Sequence, residues 1–178
     1  MVRCSAYDAP VITSAGQQNS LTPGIVFRSA DSYVVSQEKV REFSLAVLAL
    51  DPAHHDIGAA NMAGYADLVA PPTFVVAVTA TLIRQMMDDP RFGVDTGTRT
   101  PIHTNEKITL AAPILAGDVL TATMTVTGVT KRGVVVVLDI ETRLCTTDGD
   151  PRTTVTSTIL VTPNQMITHP TPEPAEAR

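Results

Sequence analysis

The feature that most constrains this chain is the segment TFVVAVTATLIRQMM (residues 73–87), which has the length of a helix and is apolar almost all the way round. Pro71 and Pro72 precede it, and a proline suits the first turn of a helix because the N–H that it lacks would have no partner there. A helix that is apolar on every side has to be enclosed by the rest of the protein. The sequence therefore predicts a buried central helix, with these side chains inside: Val75, Val76, Val78 and Leu82.

Strands that could enclose this helix follow it along the chain. The segment LTATMTVTGV (120–129) alternates apolar residues with threonines, which is the period of a half-buried strand. Its apolar face would carry Leu120, Ala122, Met124 and Val126. Two more strand-like segments, 134–147 and 152–163, follow turns at 131–133 and 148–150. One apolar helix followed by consecutive antiparallel strands predicts the α+β class, with a sheet curled around the helix.

The part of the chain before this helix predicts an extended segment and a second helix. Residues 25–36 look extended, and Ser36 is a good N-cap for a helix over residues 37–48. We expect that helix to stop at Asp51-Pro52, since the residue before a proline is pushed out of the helical region. Residues 1–20 and 164–178 are polar and without periodicity, so we interpret them as flexible tails around one domain, 21–163.

Composition excludes several classes of function. The formal net charge is −5, no basic residues are clustered and there is no tryptophan, which disfavours nucleic-acid binding. The most apolar stretch, 68–83, is too short to span a bilayer, so we expect no membrane partner. Cys4 and Cys145 have the spacing of neither a disulfide framework nor a zinc site. These observations favour a soluble protein of the reducing cytoplasm.

The stretch LALDPAHHDIG (48–58) is the densest group of chemically active side chains, with two histidines and two aspartates. It could be an acid/base site, a metal site or a polar loop. A metal is disfavoured because adjacent histidines do not readily bind one ion and no third ligand lies nearby in sequence, so we expect no metal. His55 and Asp56 have the character of solvated loop residues.

Three stretches, in this order, resemble the MaoC-like hydratase/dehydratase family: VSQEKVREFSLAV (35–47), AGYADLVAPPTF (63–74) and IHTNEKITLAAPILAGDVL (102–120). The likeness extends over about residues 25–163 and is strongest to the FAS1-like N-terminal dehydratase type and to small subunits of mycobacterial (3R)-hydroxyacyl-ACP dehydratases. The resemblance implies a hotdog fold. It also implies hydration of an enoyl thioester, or the reverse dehydration, with the acyl chain carried on CoA or on the phosphopantetheine of ACP and with no other cofactor.

The resemblance also assigns roles within residues 48–58. Catalytic family members hold one water between an aspartate and a histidine, and their histidine falls on His54. Ala49 stands at the aspartate position, and the nearest carboxylate is Asp51, two residues later. We therefore take His54 as the base, with Asp51 or Asp56 to orient it. Backbone N–H groups at the start of the central helix would hold the thioester oxygen, and other residues would line the substrate site: Pro72, Thr73 and Phe74 at the helix start, with Asn61, Tyr65 and His103 along the cleft.

Three functions remain open on these grounds. The first is the (R)-specific hydratase or dehydratase. The second is a non-catalytic subunit that binds the acyl chain while a partner supplies the aspartate and histidine, which the alanine at position 49 favours. The third is a hotdog protein that carries out another reaction, such as a cyclisation. All three imply association, as a homodimer or with another hotdog subunit, because one sheet around one helix leaves open strand edges.

Overall fold

A computed structural model describes residues 22–89 and 99–163 of the chain. The helices are α1 (Gln37–Ala46), α2 (Ile57–Met62) and α3 (Val75–Asp88), and single 3₁₀ turns lie at Pro52–His54 and Pro72–Phe74. The strands are β1 (Val26–Arg28), β2 (Tyr33–Val34), β3 (Arg99–Leu110), β4 (Val119–Arg132), β5 (Val135–Thr146) and β6 (Pro151–Pro163). The predicted domain boundaries and tails stay predictions, because residues 1–21 and 164–178 lie outside the described residues.

The strands form one antiparallel sheet in the order β1-β4-β5-β6-β3, with β2 also paired to β4. The turn from β4 to β5 passes through Gly133 at φ +61°, a conformation that glycine adopts without strain. On β4 the predicted face is confirmed, since its four apolar residues are each at most 2% exposed. The sheet packs on α3, so the α+β hotdog fold is confirmed.

Helix α3 is buried along one stripe rather than on all sides. Val75, Val78 and Leu82 are at most 5% exposed, as predicted. Val76 is 44% exposed, so its predicted place in the interior is wrong. The sheet covers one side of the helix, and the residue one position after Val75 is turned about 100° away from it.

Helix α1 begins as predicted and ends earlier. The Ser36 hydroxyl accepts a hydrogen bond from the Lys39 N–H at 3.2 Å, which confirms the N-cap. The helix stops at Ala46, because the chain turns into the left-handed region at Leu48, with φ +56°. The last turn is closed by bonds from Leu48 N to Leu45 O (3.2 Å) and from Ala49 N to Ser44 O (2.8 Å). This is the Schellman geometry, and it replaces Asp51-Pro52 as the stop signal.

We expect Leu48→Gly to stabilise the protein by about 0.5–1 kcal/mol. A left-handed conformation costs a side chain about 1–2 kcal/mol, and part of that relief is offset by the greater freedom of glycine in the unfolded chain. Leu48 is 78% exposed, so little packing is lost. The measurement is urea denaturation, with Leu45→Gly as the matched control. Leu45 is exposed but inside the helix, so that variant should lose about 1 kcal/mol; equal losses for both variants would contradict the prediction.

Two findings concern the remaining sequence predictions. Cys145 is disulfide-bonded in the structure, contrary to the expectation of reduced cysteines, and the other cysteine lies outside the described residues. In the described segments, no helix combines the length and apolar character needed to cross a membrane. The cytoplasmic location stays a prediction.

Candidate active site

His54 lies at the end of a one-turn 3₁₀ helix that follows α1. Asp51 caps this turn, since its Oδ1 accepts a hydrogen bond from the Ala53 N–H at 2.9 Å. Pro52 fits the first position of the turn because no N–H is needed there. The His54 ring is partly buried, and its Nδ1 lies 2.6 Å from the carbonyl oxygen of Val69.

The bond to Val69 fixes the tautomer of the His54 ring. A carbonyl oxygen can only accept a hydrogen bond, so Nδ1 must carry the hydrogen. In the neutral ring the lone pair is then on Nε2, and that nitrogen is the one able to take a proton from water. The orienting group is thus a backbone carbonyl and not the predicted carboxylate of Asp51 or Asp56.

The segment around Val69 is itself held in place from two sides. The Val69 N–H donates to Ala53 O at 3.0 Å, so the turn that carries His54 and the segment that orients its ring are bonded in both directions. On the other side, Ala70 N donates to Ile114 O (2.8 Å) and Ala116 N donates to Leu68 O (2.9 Å). The position of the ring therefore depends on the loop that leads into β4.

An ion pair fastens that loop to the sheet. Arg152 donates from Nε to Asp118 Oδ2 and from Nη2 to Asp118 Oδ1, both at 2.8 Å. Asp118 Oδ2 also accepts from the Leu115 N–H at 3.0 Å. The side chains are 11% (Asp118) and 18% (Arg152) exposed. Asp118 lies in the stretch 102–120 that carries part of the family resemblance, and in the structure it holds the loop to the sheet.

Opposing effects set the pKa values of this pair. Burial by itself raises the pKa of Asp118, but the hydrogen bonds from Arg152 and Leu115, with the positive charge of Arg152, outweigh burial and hold that pKa below its usual value. The hydrogen bond with Asp118 raises the pKa of Arg152 in spite of desolvation. Both groups are therefore ionised throughout the neutral pH range.

The two aspartates beside the histidines serve the backbone. Asp51 is exposed and caps the 3₁₀ turn, and Asp56 Oδ1 accepts from the Ala59 N–H at 2.7 Å and so caps α2. In residues 22–89 and 99–163, no hydrogen bond joins either carboxylate to the His54 ring. Asp51 remains a predicted catalytic residue, and its carboxylate caps the turn instead of bonding to the His54 ring.

A polar network that the sequence analysis did not predict ties the segment between α1 and α3 to α1. Arg41 Nε donates to the His55 carbonyl oxygen at 3.0 Å, and Gln37 Nε2 donates to the Asp67 carboxylate at 3.1 and 3.2 Å. Gln37 and Arg41 are four residues apart, so they share one face of the helix, and this spacing was the available signal. His55 points elsewhere, since its Nε2 lies 2.8 Å from the Ala49 carbonyl oxygen.

The start of the central helix offers fewer donors than the sequence suggested. Pro72 has no N–H, and the Phe74 N–H donates to Pro71 O at 2.8 Å. The Phe74 ring is 1% exposed and packs edge-on against Phe43 and Tyr33, with centroid distances of 5.3 and 6.1 Å. Of the three predicted residues, Thr73 alone has an N–H not bonded within the described chain, and it lies exposed four residues after Val69.

The other predicted substrate-binding residues are divided between two places. Asn61 lies in α2 and Tyr65 follows that helix, and both are exposed. His103 is on β3, where its Nδ1 is 3.7 Å from Glu106 Oε2. Both residues line a cavity of about 30 Å³ between α3 and the inner face of the sheet. Within the residues that the structure describes, no three His, Cys, Asp or Glu side chains are placed to hold a metal ion.

Comparison with known proteins gives concordant results. The sequence profile described as "FAS1-like, dehydratase domain region" matches residues 22–155. A UPF0336 protein from Leifsonia xyli is 38% identical over 143 residues, which cover 80% of this chain and 95% of that protein. Among solved structures, the C-terminally truncated HadBC (3R-hydroxyacyl-ACP dehydratase) complex from Mycobacterium tuberculosis is 28% identical, with a TM-score of 0.67 and coverage of 80% of this chain and 99% of the matched chain. A MaoC-like dehydratase is 27% identical, with a TM-score of 0.74 and coverage of 82% of this chain and 44% of that chain.

Proposed function

Because this chain belongs to the FAS1-like dehydratase domain family, of the MaoC-like hotdog type, we propose that it is an (R)-specific enoyl-thioester hydratase, or in reverse a (3R)-hydroxyacyl-thioester dehydratase. Its substrate would be an acyl chain carried on CoA or on the phosphopantetheine of ACP. The observation that carries the proposal is the 2.6 Å hydrogen bond from His54 Nδ1 to Val69 O, which leaves Nε2 as the proton acceptor. The proposed reaction uses no cofactor besides the acyl carrier.

The proposed chemistry adds one water molecule across the double bond. His54 Nε2 takes a proton from water as the oxygen bonds to the β-carbon, and the imidazolium then gives a proton to the α-carbon, which regenerates the neutral ring. Negative charge develops on the thioester oxygen in between. The Thr73 N–H and the positive end of the α3 dipole are the groups we assign to that oxygen.

A second candidate, the non-catalytic acyl-binding subunit, is favoured by one observation. The family's aspartate position is Ala49, and the nearest carboxylate, Asp51, is exposed and engaged with the Ala53 N–H. If a carboxylate is required beside the base, a partner subunit would have to supply it. The matched (3R)-hydroxyacyl-ACP dehydratase structure is a complex, which is consistent with a paired hotdog.

Exposed surfaces support association with a partner. β3 lies at the end of the sheet, where Ile102 is 39% and Leu110 is 47% exposed, and Val76 on α3 is 44% exposed. A long edge strand with apolar side chains is normally covered by another chain. We expect light scattering to give a dimer, as a homodimer or after addition of a hotdog partner; a monomer at micromolar concentration that no partner changes would contradict this.

The two candidate functions are separated by an assay of the purified chain with crotonyl-CoA. Loss of the enoyl-thioester absorbance shows hydration, and chiral analysis of the product gives its configuration. Hydration by the chain alone supports the first candidate. Activity that needs a second hotdog subunit, and that survives substitution of His54 in this chain, supports the second.

A further inference from the structure

Three hydroxyl side chains stand close together at inward positions of a core that is mostly apolar. The inward residues of β5 are Val136, Leu138, Ile140, Thr142 and Leu144, and those of α3 include Val75, Val78, Thr79 and Leu82. Thr142 is 4% exposed and Thr79 is 6% exposed. Ser157 is the third, in register with Ile140 on the neighbouring strand. Core positions are usually apolar, because burial of a hydroxyl without a hydrogen-bond partner is unfavourable. Hydroxyls at such positions are therefore candidates for a functional role.

All three hydroxyls line the same cavity between α3 and the sheet, together with His103 and Glu106. In the described residues none of the three donates to or accepts from another group, and none is a fully enclosed orphan atom, so each reaches the cavity. Thr79 is notable because a threonine inside a helix can bond to the carbonyl of the preceding turn, and among the described residues Thr79 does not. Thr142 and Ser157 are diagonal neighbours across β5 and β6, and Glu106 is in register with Ser157.

The size and charge of the cavity limit what can enter it. A volume of about 30 Å³ accepts one or two groups the size of a water molecule. Met124 and Ile140 form part of its wall and are at most 3% exposed. The hydroxyls can donate to or accept from a ligand oxygen, whereas the carboxylate of Glu106 accepts from a hydroxyl and repels an anion.

We propose that this cavity is a specificity pocket for the far end of a short acyl chain that carries a neutral hydroxyl group. The inference rests on the proposed function, which gives an acyl thioester as the substrate class. It adds the length and the polarity of the acyl group that the protein prefers. The hydroxyl of the ligand would donate to Glu106 and accept from Thr142, Ser157 or Thr79. A purely apolar chain of the same length would leave these groups unpaired.

The test is calorimetric titration of the full chain with saturated acyl-CoA probes, which separates binding from catalysis. 5-Hydroxypentanoyl-CoA and hexanoyl-CoA have equal numbers of non-hydrogen atoms in the acyl chain. We expect the hydroxylated probe to bind about 2- to 12-fold more tightly for each hydrogen bond formed. Glutaryl-CoA, whose end is anionic, should bind no better than hexanoyl-CoA.

Substitutions of the lining hydroxyls test whether the preference for the hydroxylated probe arises in this cavity. Thr142→Val and Thr79→Val should each lower the preference for the hydroxylated probe, while Thr142→Ser should retain it. Thr156→Val, an exposed position of β6, is the matched control and should change nothing. Circular dichroism checks that each variant is folded.

Three results would overturn the inference. The first is equal binding of the two probes, and the second is a preference that Thr142→Val leaves unchanged; both are expected of a cavity that holds only water or an alkyl end. The third is no binding of any probe. The crotonyl-CoA assay tests the proposed function separately. Hydration without a probe preference would support the function and contradict the pocket. A probe preference without hydration would support the pocket and contradict the hydratase.

Discussion

Replacement of His54 by alanine is expected to lower the rate of crotonyl-CoA hydration by about 10²–10⁴-fold, the usual effect of losing a general base. The ring would be lost together with the Nε2 lone pair that the bond to Val69 orients. Acyl-CoA binding should be nearly unchanged, because a partly buried loop side chain contributes little to the core. The measurements are kcat by loss of absorbance and Kd for hexanoyl-CoA.

His55→Ala is the matched control for this prediction. His55 is also partly buried and also bonded through a ring nitrogen to a backbone carbonyl, that of Ala49. Its loss should reduce kcat by less than 10-fold if its role is structural. Equal effects of the two substitutions on kcat would show that loop structure, and not a base at position 54, limits the reaction.

Substitutions at positions 49 and 51 test whether hydration needs a carboxylate from this chain beside His54. Asp51→Asn keeps a side-chain oxygen that can cap the turn, so a fall in kcat as large as that of His54→Ala would assign the missing carboxylate's role to Asp51. Ala49→Asp restores the residue at the family's position and should raise kcat if the rest of the site is competent. Two results together would exclude the catalytic interpretation. The wild-type chain would be inactive alone, and its complex with a partner would stay fully active after His54→Ala.

Asp118→Asn is expected to lower the free energy of unfolding at pH 7 by about 2–3 kcal/mol. The reason is that its partly buried pair with Arg152 lies between exposed pairs, worth up to about 1 kcal/mol, and buried pairs, whose disruption costs about 3–5 kcal/mol. The variant leaves the Arg152 guanidinium, 18% exposed, without its bidentate partner. The measurement is urea denaturation. Glu141→Gln is the matched control, since the Arg143–Glu141 pair (2.7 Å) is more exposed and should be worth at most about 1 kcal/mol.

The effect of Asp118→Asn should depend on pH in a defined direction. The pKa of Asp118 is lowered in the folded protein, so the unfolded chain binds the proton more readily. The stabilisation is therefore complete above the usual aspartate pKa of about 4 and is lost as the pH falls through the lower folded value. The difference between wild type and variant should shrink below pH 4; a difference that stays constant there would contradict the assigned ionisation.

Local patterns were sufficient to predict the main elements. The alternation of residues 120–126 predicted which face of β4 is buried, and Ser36 predicted where α1 begins, because both signals act over a few neighbouring residues. Apolar character all round α3 predicted that the helix is enclosed, but it could not identify the side that the sheet covers. Val76 was misplaced for that reason.

The chemistry of the site depends on groups far apart in sequence. The orienting partner of His54 is the carbonyl of a residue 15 positions later, and any residue type supplies a carbonyl, so no sequence signal marks it. Asp51 had the right chemistry in sequence, and the structure uses it to cap a turn.

The sequence by itself determined the α+β class, the central helix, the strand periodicity and His54 as the candidate base, since these follow from local periodicity and a motif. Only the tertiary structure decided which ring nitrogen of His54 is free, that Asp118 pairs with Arg152, 34 residues later, and that Thr79, Thr142 and Ser157 meet at one cavity. The physical reason is that these contacts join separate elements. Their geometry is set by how the sheet packs on α3, and the periodicity of a single segment does not specify that packing.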